Sequence, residues 1–222
     1  MRILIIDNNI DLDSWGSKNL RKFAAQAPRA TVYVRRGPED DLPQNVKYFD
    51  RLIVSGSKTS ALENATWISH EENFIKSFLN EGKPFLGVCY GHQILSRALG
   101  GIDFVRKSAV PELGWTEIEQ TTPSKLFEGL PRKFYSFSIH KDEVSSLPPG
   151  TKSLAKSKDC EIQAFQLEGR PVFGIQFHPE KGLEDAVKIL AQFEKKDDSK
   201  KGPKNPFDPK VGQTIFGNFL KL

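Results

Sequence analysis

The stretch KPFLGVCYGHQILSRALGG, residues 83–101, places one of the two cysteines of the chain between two glycines. The apolar run before this cysteine has the length and composition of a buried strand, and the residues after it have helical spacing. A strand that turns directly into a helix at GVCYG, residues 87–91, is typical of a nucleophile elbow, here with cysteine in place of serine. The stretch therefore predicts an α/β fold with a reactive side chain at the end of a strand.

The rest of the chain extends this pattern. Before Gly101, short β-rich apolar runs alternate with segments of helical period, which is typical of βαβ units on a parallel sheet. After Gly101 the pattern changes to strands and turns, so we expect a second group of strands, some antiparallel and one returning to the main sheet. The fold class is thus α/β, with a mostly parallel central sheet flanked by helices and a smaller, partly antiparallel group. The predicted strands are 2–7, 31–36, 51–56 and 84–89, and the predicted helices are 15–27 and 65–80.

The chain has 222 residues, which suffices for one domain whose core needs no disulfide or metal. We expect a single domain over 1–222. The segment 195–210, KKDDSKKGPKNPFDPK, loses the apolar periodicity and is predicted to be an exposed linker or insertion before a last amphipathic segment. A basic docking tail for a partner is the alternative interpretation of this segment.

The charge pattern and the absence of long apolar runs limit the class of protein. The net charge of +4 comes from 32 basic and 28 acidic residues mixed along the chain, which does not predict nucleic-acid binding. No N-terminal leader or run long enough to span a bilayer is visible. We therefore expect a cytoplasmic protein with reduced thiols and no membrane association.

The residues around Cys89 are suited to nucleophilic chemistry. Glycines two positions before and two positions after it remove the Cβ atoms that would collide in so tight a turn. The sulfur would then lie at the N-terminus of a helix, whose partial positive charge favours the thiolate, and the amide of Tyr90 could donate to an oxyanion. The alternative is that Cys89 is a small, inert core residue and that the glycines only permit close packing.

A cysteine nucleophile needs a base, and the chain offers four histidines: His70, His92, His140 and His178. His178 follows the apolar run VFGIQF at a predicted strand end, and Glu180 lies two residues later. A carboxylate in that place can orient the imidazole across the intervening proline. We therefore predict a triad in which Cys89 is the nucleophile, His178 the general acid and base, and Glu180 the orienting group.

A metal hydrolase is an alternative use of the same side chains. Its ligands would be Cys89, His92, His178 and Glu180. The spacing of these residues does not match known zinc patterns. We therefore expect neither a metal nor a cofactor.

The motifs GVCYGHQ and GIQFHPE resemble the two signature motifs of the class I, triad-type glutamine amidotransferases, and the resemblance runs from ILIIDN to HPE. It implies a flavodoxin-like sheet. It also implies that Cys89 attacks the γ-carboxamide of glutamine, that His178 protonates the leaving ammonia, and that Glu180 orients His178. Gly56 matches the position of the second oxyanion donor beside Tyr90. The substrate-binding residues that the resemblance implies are Gln93, Ser57 and the backbone of Ile139, His140 and Lys141.

The chain departs from the family pattern at the oxyanion strand. Many members have Gly-Gly-Pro there, whereas this chain has SGSK at residues 55–58 and keeps only the donor glycine. Free-standing members and γ-glutamyl peptide hydrolases are similar to this form. The segment HKDEVSSLPPG, residues 140–150, also resembles the amidotransferase subunit of GMP synthase.

These observations favour a glutaminase that acts through a γ-glutamyl thioester on Cys89. Since the sequence has no ATP-binding P-loop, a separate synthetase subunit of the GMP synthase type would receive the ammonia. The first alternative is a γ-glutamyl peptidase, which releases an amine or peptide and needs no partner. The second is a binding or regulatory module that has kept the fold and lost turnover.

Overall fold

The computed structural model describes residues 1–11, 15–193 and 206–222. Three short 3-10 turns lie at Val46–Tyr48, Ile102–Phe104 and Lys125–Phe127. In chain order the longer elements are β1 (Arg2–Asp7), α1 (Lys18–Ala24), β2 (Thr31–Arg36), β3 (Arg51–Val54), α2 (Thr66–Asn80), β4 (Phe85–Val88), α3 (Tyr90–Gly100), β5 (Val105–Gln120), β6 (Lys133–Val144), β7 (Thr151–Lys156), β8 (Ala164–Leu167), β9 (Val172–Ile175), α4 (Leu183–Ala191) and α5 (Pro209–Phe219).

The described strands form one nine-stranded sheet in the order β2-β1-β3-β4-β9-β8-β7-β5-β6. The five strands from β2 to β9 are parallel, and the four that follow pair antiparallel. This arrangement confirms the predicted α/β class, with its mostly parallel core and smaller antiparallel group. It also confirms that a late strand returns to the main sheet, because β9 pairs with β4 and places Ile175 opposite Val88.

The parallel strands β1, β3, β4 and β9 are buried on both faces, as their near-continuous apolar sequences predict, whereas the edge strand β2 is partly exposed. Ile3 and Ile5 of β1 pack in one apolar cluster with residues of α1 and α5. Leu4 and Ile6 pack in the other cluster with residues of α2 and α3. The central parallel part of the sheet is therefore covered on both sides, and its strand ends are the part of it that remains available for chemistry.

Several element ends differ from the predicted ones for local reasons. The third strand stops at Val54; just beyond it, the side chain of Ser55 accepts a hydrogen bond from the Asn8 amide and donates one to the Gly56 carbonyl. The first helix ends at Ala24, where i to i−3 hydrogen bonds tighten the last turn. Gly82 lies just beyond the end of α2 with φ 73°, the conformation that favours glycine after a helix.

Positions 195–205 of the predicted exposed segment 195–210 lie outside the described residues. Its end belongs to α5, which begins at Pro209. Proline suits the first turn of a helix, and the Asp208 side chain accepts a hydrogen bond from the Lys210 amide as an N-cap. The single domain over 1–222 stays a prediction. In the described ranges, no helix is both long enough and apolar enough to cross a membrane.

Candidate active site

Cys89 lies at the turn between β4 and α3 in a strained backbone conformation. Its φ is 53° and its ψ is −105°, a region that residues other than glycine rarely adopt. The Cys89 amide donates to the Ile175 carbonyl over 2.8 Å, and the Cys89 carbonyl accepts hydrogen bonds from the amides of His92 and Gln93. Strand β9 and the first turn of α3 thus hold the strained residue in place.

The glycines on either side of Cys89 are required by space. A Cβ built on Gly87 would collide with the carbonyl group of Gly91. A Cβ built on Gly91 would collide with the carbonyl group of Val54, at the end of β3. Because these two positions have no Cβ atoms, the N-terminus of α3 can lie directly against the ends of β3 and β4. Cys89 thereby comes to the carboxyl edge of the sheet.

His178 and Glu180 come to the same edge from the end of β9. The His178 amide donates to the Phe137 carbonyl over 2.7 Å, which ties this turn to β6. The Nδ1 atom of His178 lies 2.6 Å from the Oε1 atom of Glu180, and both side chains are buried. Since Nδ1 is taken by the carboxylate, Nε2 is the ring nitrogen that is left for Cys89.

The charges of His178 and Glu180 stabilise each other. Burial is the largest influence on His178 and by itself lowers its pKa, but the charges of Glu180 and Cys89 and side-chain hydrogen bonds to both raise that pKa to about 10. For Glu180 burial acts in the opposite direction and raises the pKa, but the interactions with His178 outweigh it and hold that pKa below its usual value. The His178 ring is therefore stabilised as an imidazolium beside a carboxylate.

Gly56 and Tyr90 both lie next to Cys89. A Cβ built on Gly56 would lie 3.5 Å from the Cys89 Cβ and 3.7 Å from the His178 Nε2. Tyr90 is the first residue of α3, and an amide in the first turn of a helix has no partner within the helix. Ser57, next to Gly56, uses its hydroxyl to accept a hydrogen bond from the Thr59 amide over 2.9 Å.

The backbone of β6 passes close to the Cys89 sulfur. The Cys89 sulfur lies 3.6 Å from the Ile139 carbonyl oxygen. Gln93 is buried, and its Nε2 donates to the Asp142 carbonyl over 2.8 Å and to the Gln176 Oε1 over 3.0 Å. Of the expected substrate-binding residues, Ile139 thus lies beside the sulfur, whereas the Gln93 side chain ties α3 to β6 and β9.

The side chains of His140 and Lys141 have surroundings other than the Cys89 sulfur. The His140 ring is buried between the Glu112 carboxylate, 2.9 Å from Nε2, and the Asp142 carbonyl, 3.0 Å from Nδ1. Lys141 is exposed. The expectation for these two residues concerned their backbone, and it stays a prediction.

The other histidines and the second cysteine have separate environments. His70 is exposed, and its Nδ1 lies 2.8 Å from Asp40. His92 is fully buried against the Phe165 ring, and burial lowers its pKa to about 3. Burial raises the pKa of the Cys160 thiol. Within the part of the chain that the structure describes, no group of three or more His, Cys, Asp or Glu side chains could hold a metal ion.

One polar residue behind this site escaped the sequence reasoning. Glu71 of α2 is fully buried, and its carboxylate accepts hydrogen bonds from the Asn8 side chain and the Tyr90 hydroxyl. The available signal was an acid on the apolar face of α2, in helical register with Ile68 and Ile75. A charged residue on a buried helix face needs partners, which is a reason to look for them.

A doubly wound sheet with a strained cysteine and a buried histidine–carboxylate pair at its carboxyl edge defines an α/β protein suited to acyl transfer. The chain belongs to the class I glutamine amidotransferase family, whose model matches residues 4–196. In the solved structures of a glutamine amidotransferase from Thermotoga maritima and one from Methylobacillus flagellatus, the same fold occurs. Their TM-scores are 0.77 and 0.81 and their identities 20% and 21%; the match covers 100% and 99% of this chain, and 96% and 94% of theirs.

Three curated relatives each match more than half of this chain. One subunit of the glutamine-hydrolyzing GMP synthase from Pyrococcus abyssi is 38% identical over 145 residues, which is 65% of this chain and 73% of the relative. The corresponding subunit from Methanocaldococcus jannaschii is 37% identical over 143 residues, 64% of this chain and 70% of the relative. A glutamine-hydrolyzing GMP synthase from Aeropyrum pernix is 40% identical over 129 residues, 58% of this chain and 24% of the relative.

Proposed function

We propose that this protein hydrolyses the γ-carboxamide of glutamine through a γ-glutamyl thioester on Cys89 and passes the ammonia to a separate synthetase subunit of the GMP synthase type. The observation that carries the proposal is the His178 ring, held by Glu180 at 2.6 Å on one side and facing the strained Cys89 on the other. Family membership supplies the substrate class, since glutamine amides are what these enzymes hydrolyse.

The geometry supports a two-stage reaction. The Cys89 thiolate attacks the amide carbon, and the amides of Gly56 and Tyr90 donate to the oxygen as it gains charge. The carbon–nitrogen bond then breaks as the imidazolium of His178 gives its Nε2 proton to the leaving nitrogen, which departs as ammonia. A thioester between Cys89 and the γ-glutamyl group remains.

The second stage restores the enzyme. Neutral His178 takes a proton from water, and the resulting hydroxide attacks the thioester carbon between the same two amide donors. The carbon–sulfur bond breaks, glutamate leaves, and Cys89 returns as a thiolate beside the imidazolium. Glu180 keeps the ring in one orientation and stabilises its charge throughout both stages.

The relatives support the separate partner. Two of them are named as a single subunit of GMP synthase, which implies a second subunit in those proteins. The Aeropyrum pernix relative is named as the whole synthase, and the match covers 24% of it. A chain of this kind would therefore act as the part that supplies ammonia, and the synthetase chemistry would belong to its partner.

The decisive experiment is intact-protein mass spectrometry after brief exposure to a chloroketone analogue of glutamine. We expect a single adduct on Cys89, none on Cys160, and none in the Cys89→Ser variant. Labelling of Cys160, or an unlabelled Cys89 in folded protein, would contradict the proposal. Ammonia release from glutamine should also exceed amine release from a γ-glutamyl dipeptide; the opposite preference would favour a γ-glutamyl peptidase.

A further inference from the structure

Glu71 is an acid in a place where an apolar residue would ordinarily pack. It lies on the buried face of α2 with no exposed surface. Burying a carboxylate is costly unless its oxygens are hydrogen-bonded. Both oxygens are: Oε1 accepts from the Asn8 Nδ2 over 2.7 Å, and Oε2 accepts from the Tyr90 hydroxyl over 3.1 Å.

The contact with Tyr90 leads to one oxyanion donor. Tyr90 follows Cys89 directly, and its amide is one of the two donors in the proposed reaction. Tyr90 as a whole is 1% exposed, and its ring packs beside Trp67, with the ring centroids 6.0 Å apart. The bond from its hydroxyl to Glu71 therefore fixes the far end of the side chain, and with it the first residue of α3.

The contact with Asn8 leads to the other donor. The Asn8 backbone amide donates to the Ser55 hydroxyl over 2.9 Å, and that hydroxyl donates to the Gly56 carbonyl over 2.9 Å. A continuous path of hydrogen-bonded residues thus runs from Tyr90 through Glu71, Asn8 and Ser55 to Gly56, and its side chains are buried. It joins the ends of β1 and β3 to α2 and α3, behind the space where the oxyanion would form.

We propose that Glu71 is a positioning residue that sets the separation of the two oxyanion donors, acting on Tyr90 through its hydroxyl and on Gly56 through Asn8 and Ser55. The inference rests on the proposed function. Stabilisation of an oxyanion requires donors about 2.7–3.1 Å from the developing charge, so two donors on different elements must be held in register. A loss of register weakens binding of the transition state more than binding of the amide, so it lowers kcat and leaves KM nearly unchanged.

Four variants test this inference through glutamine kinetics. Glu71→Gln can accept from Asn8 and donate to the Tyr90 oxygen, so its kcat should stay within about threefold of the wild type. Glu71→Met keeps the volume and loses both bonds, so its kcat should fall about 10- to 100-fold with KM within about twofold. Tyr90→Phe removes one hydroxyl and should lose about 3- to 10-fold in kcat. In the double variant Glu71→Met with Tyr90→Phe, the loss should be smaller than the product of the single losses, because the two residues share one path.

The neighbouring acid provides a matched control. Glu72 lies on the same helix and binds Arg97 at 2.9 Å and Lys76 at 2.6 Å, away from the path. Glu72→Gln should lower the melting temperature and leave kcat unchanged. Melting temperature and chloroketone labelling of Cys89 show whether each variant is folded. If Glu71→Met does not fold, the two single variants Tyr90→Phe and Glu71→Gln provide the test.

The outcomes separate this inference from the proposed function. An inactive wild type would overturn both. An active wild type in which folded Glu71→Met or Tyr90→Phe keeps its full kcat would overturn the role of Glu71 alone. Fully multiplicative losses in the double variant would also overturn it, since they would mean that Glu71 does not act through Tyr90.

Discussion

Gly56 lies so close to the His178 ring that a Cβ atom built on it would be 2.9 Å from the His178 Cε1. Carbon atoms do not approach so closely, so a larger residue would displace the imidazole. Gly56 is not among the residues with positive φ, so its backbone does not by itself require glycine. The space beside the ring is therefore the reason for glycine at this position.

Substitution of Gly56 tests that relationship. Gly56→Ala should lower kcat about 100-fold or more, because the added methyl group moves His178 away from Cys89 and crowds the substrate oxygen. The control is Gly217→Ala in α5, where a built Cβ has nothing within 4 Å. That control should raise stability by roughly 0.5–1 kcal/mol, as alanine does in helices, and leave kcat unchanged. Steady-state kinetics and thermal unfolding measure both effects; wild-type turnover in Gly56→Ala would show that the ring is not confined as described.

In the proposed reaction, Glu180 orients the His178 ring and stabilises its charge, whereas His178 transfers the proton. We therefore expect Glu180→Gln to lose about 10- to 100-fold in kcat and His178→Asn to lose more. Because the charge of Glu180 is a main reason for the raised pKa of His178, the decline of kcat/KM at high pH should also move to lower pH in Glu180→Gln. Kinetics between neutral and alkaline pH measure both. Equal losses in the two variants, or an unmoved alkaline limb, would mean that the roles are assigned wrongly.

The two cysteines should respond very differently to the same substitution. Cys89→Ser should reduce turnover by orders of magnitude, since a hydroxyl is a much weaker nucleophile at neutral pH. Cys160→Ser should keep normal kcat and lose about 1–3 kcal/mol of stability, because a more polar group is buried at a residue whose amide already bonds Ser157. Glutaminase assays and urea unfolding on both variants provide the measurement. Comparable activity in the two variants would place the chemistry elsewhere.

The buried Glu71 carboxylate makes stability depend on pH. Burial is the largest influence and raises its pKa to about 7, against the hydrogen bonds from Asn8 and Tyr90 that lower it. The folded state therefore holds this proton more tightly than the unfolded state does. The stability contribution is fully present below the pKa of the unfolded carboxyl and is lost as pH rises toward 7, by on the order of 3 kcal/mol.

Glu71→Gln does not titrate, so other groups cancel in its comparison with the wild type. We expect the free energy of unfolding of this variant, relative to the wild type, to increase between pH 5 and pH 8. Urea unfolding at the two pH values gives the difference. A relative stability that is the same at both, or that falls as pH rises, would mean that the carboxyl titrates near its ordinary pKa in the folded protein.

Much of the fold could be predicted because it depends on local sequence patterns. The alternation of β-rich runs with helical segments before Gly101 predicted the parallel sheet, since strands buried on both faces must be apolar throughout. The glycines at 87 and 91 predicted a tight turn at Cys89, and the structure shows a backbone there that only such neighbours permit. The element ends were less predictable, because they depend on caps and turns such as that of Ser55.

The site could be predicted only in part, for a physical reason. The side chains of Cys89, His178 and Glu180 were singled out by their place at strand ends, and chain direction in a parallel sheet brings such ends to one edge. The buried path through Glu71 could not be predicted, because it joins residues from four elements that no spacing relates. The same holds for Gln93, whose amide bonds Asp142 and Gln176.

The sequence by itself determined the class of fold, the strained turn and the types of side chain that could carry the reaction, because these depend on periodicity, on glycine and on intrinsic chemistry. Only the tertiary structure decided which polar side chains are used in internal hydrogen bonds, such as those of Gln93 and His140, and that a buried carboxylate lies behind Tyr90. Those relations arise where distant strands pair and helices pack, and distance along the chain carries no information about them.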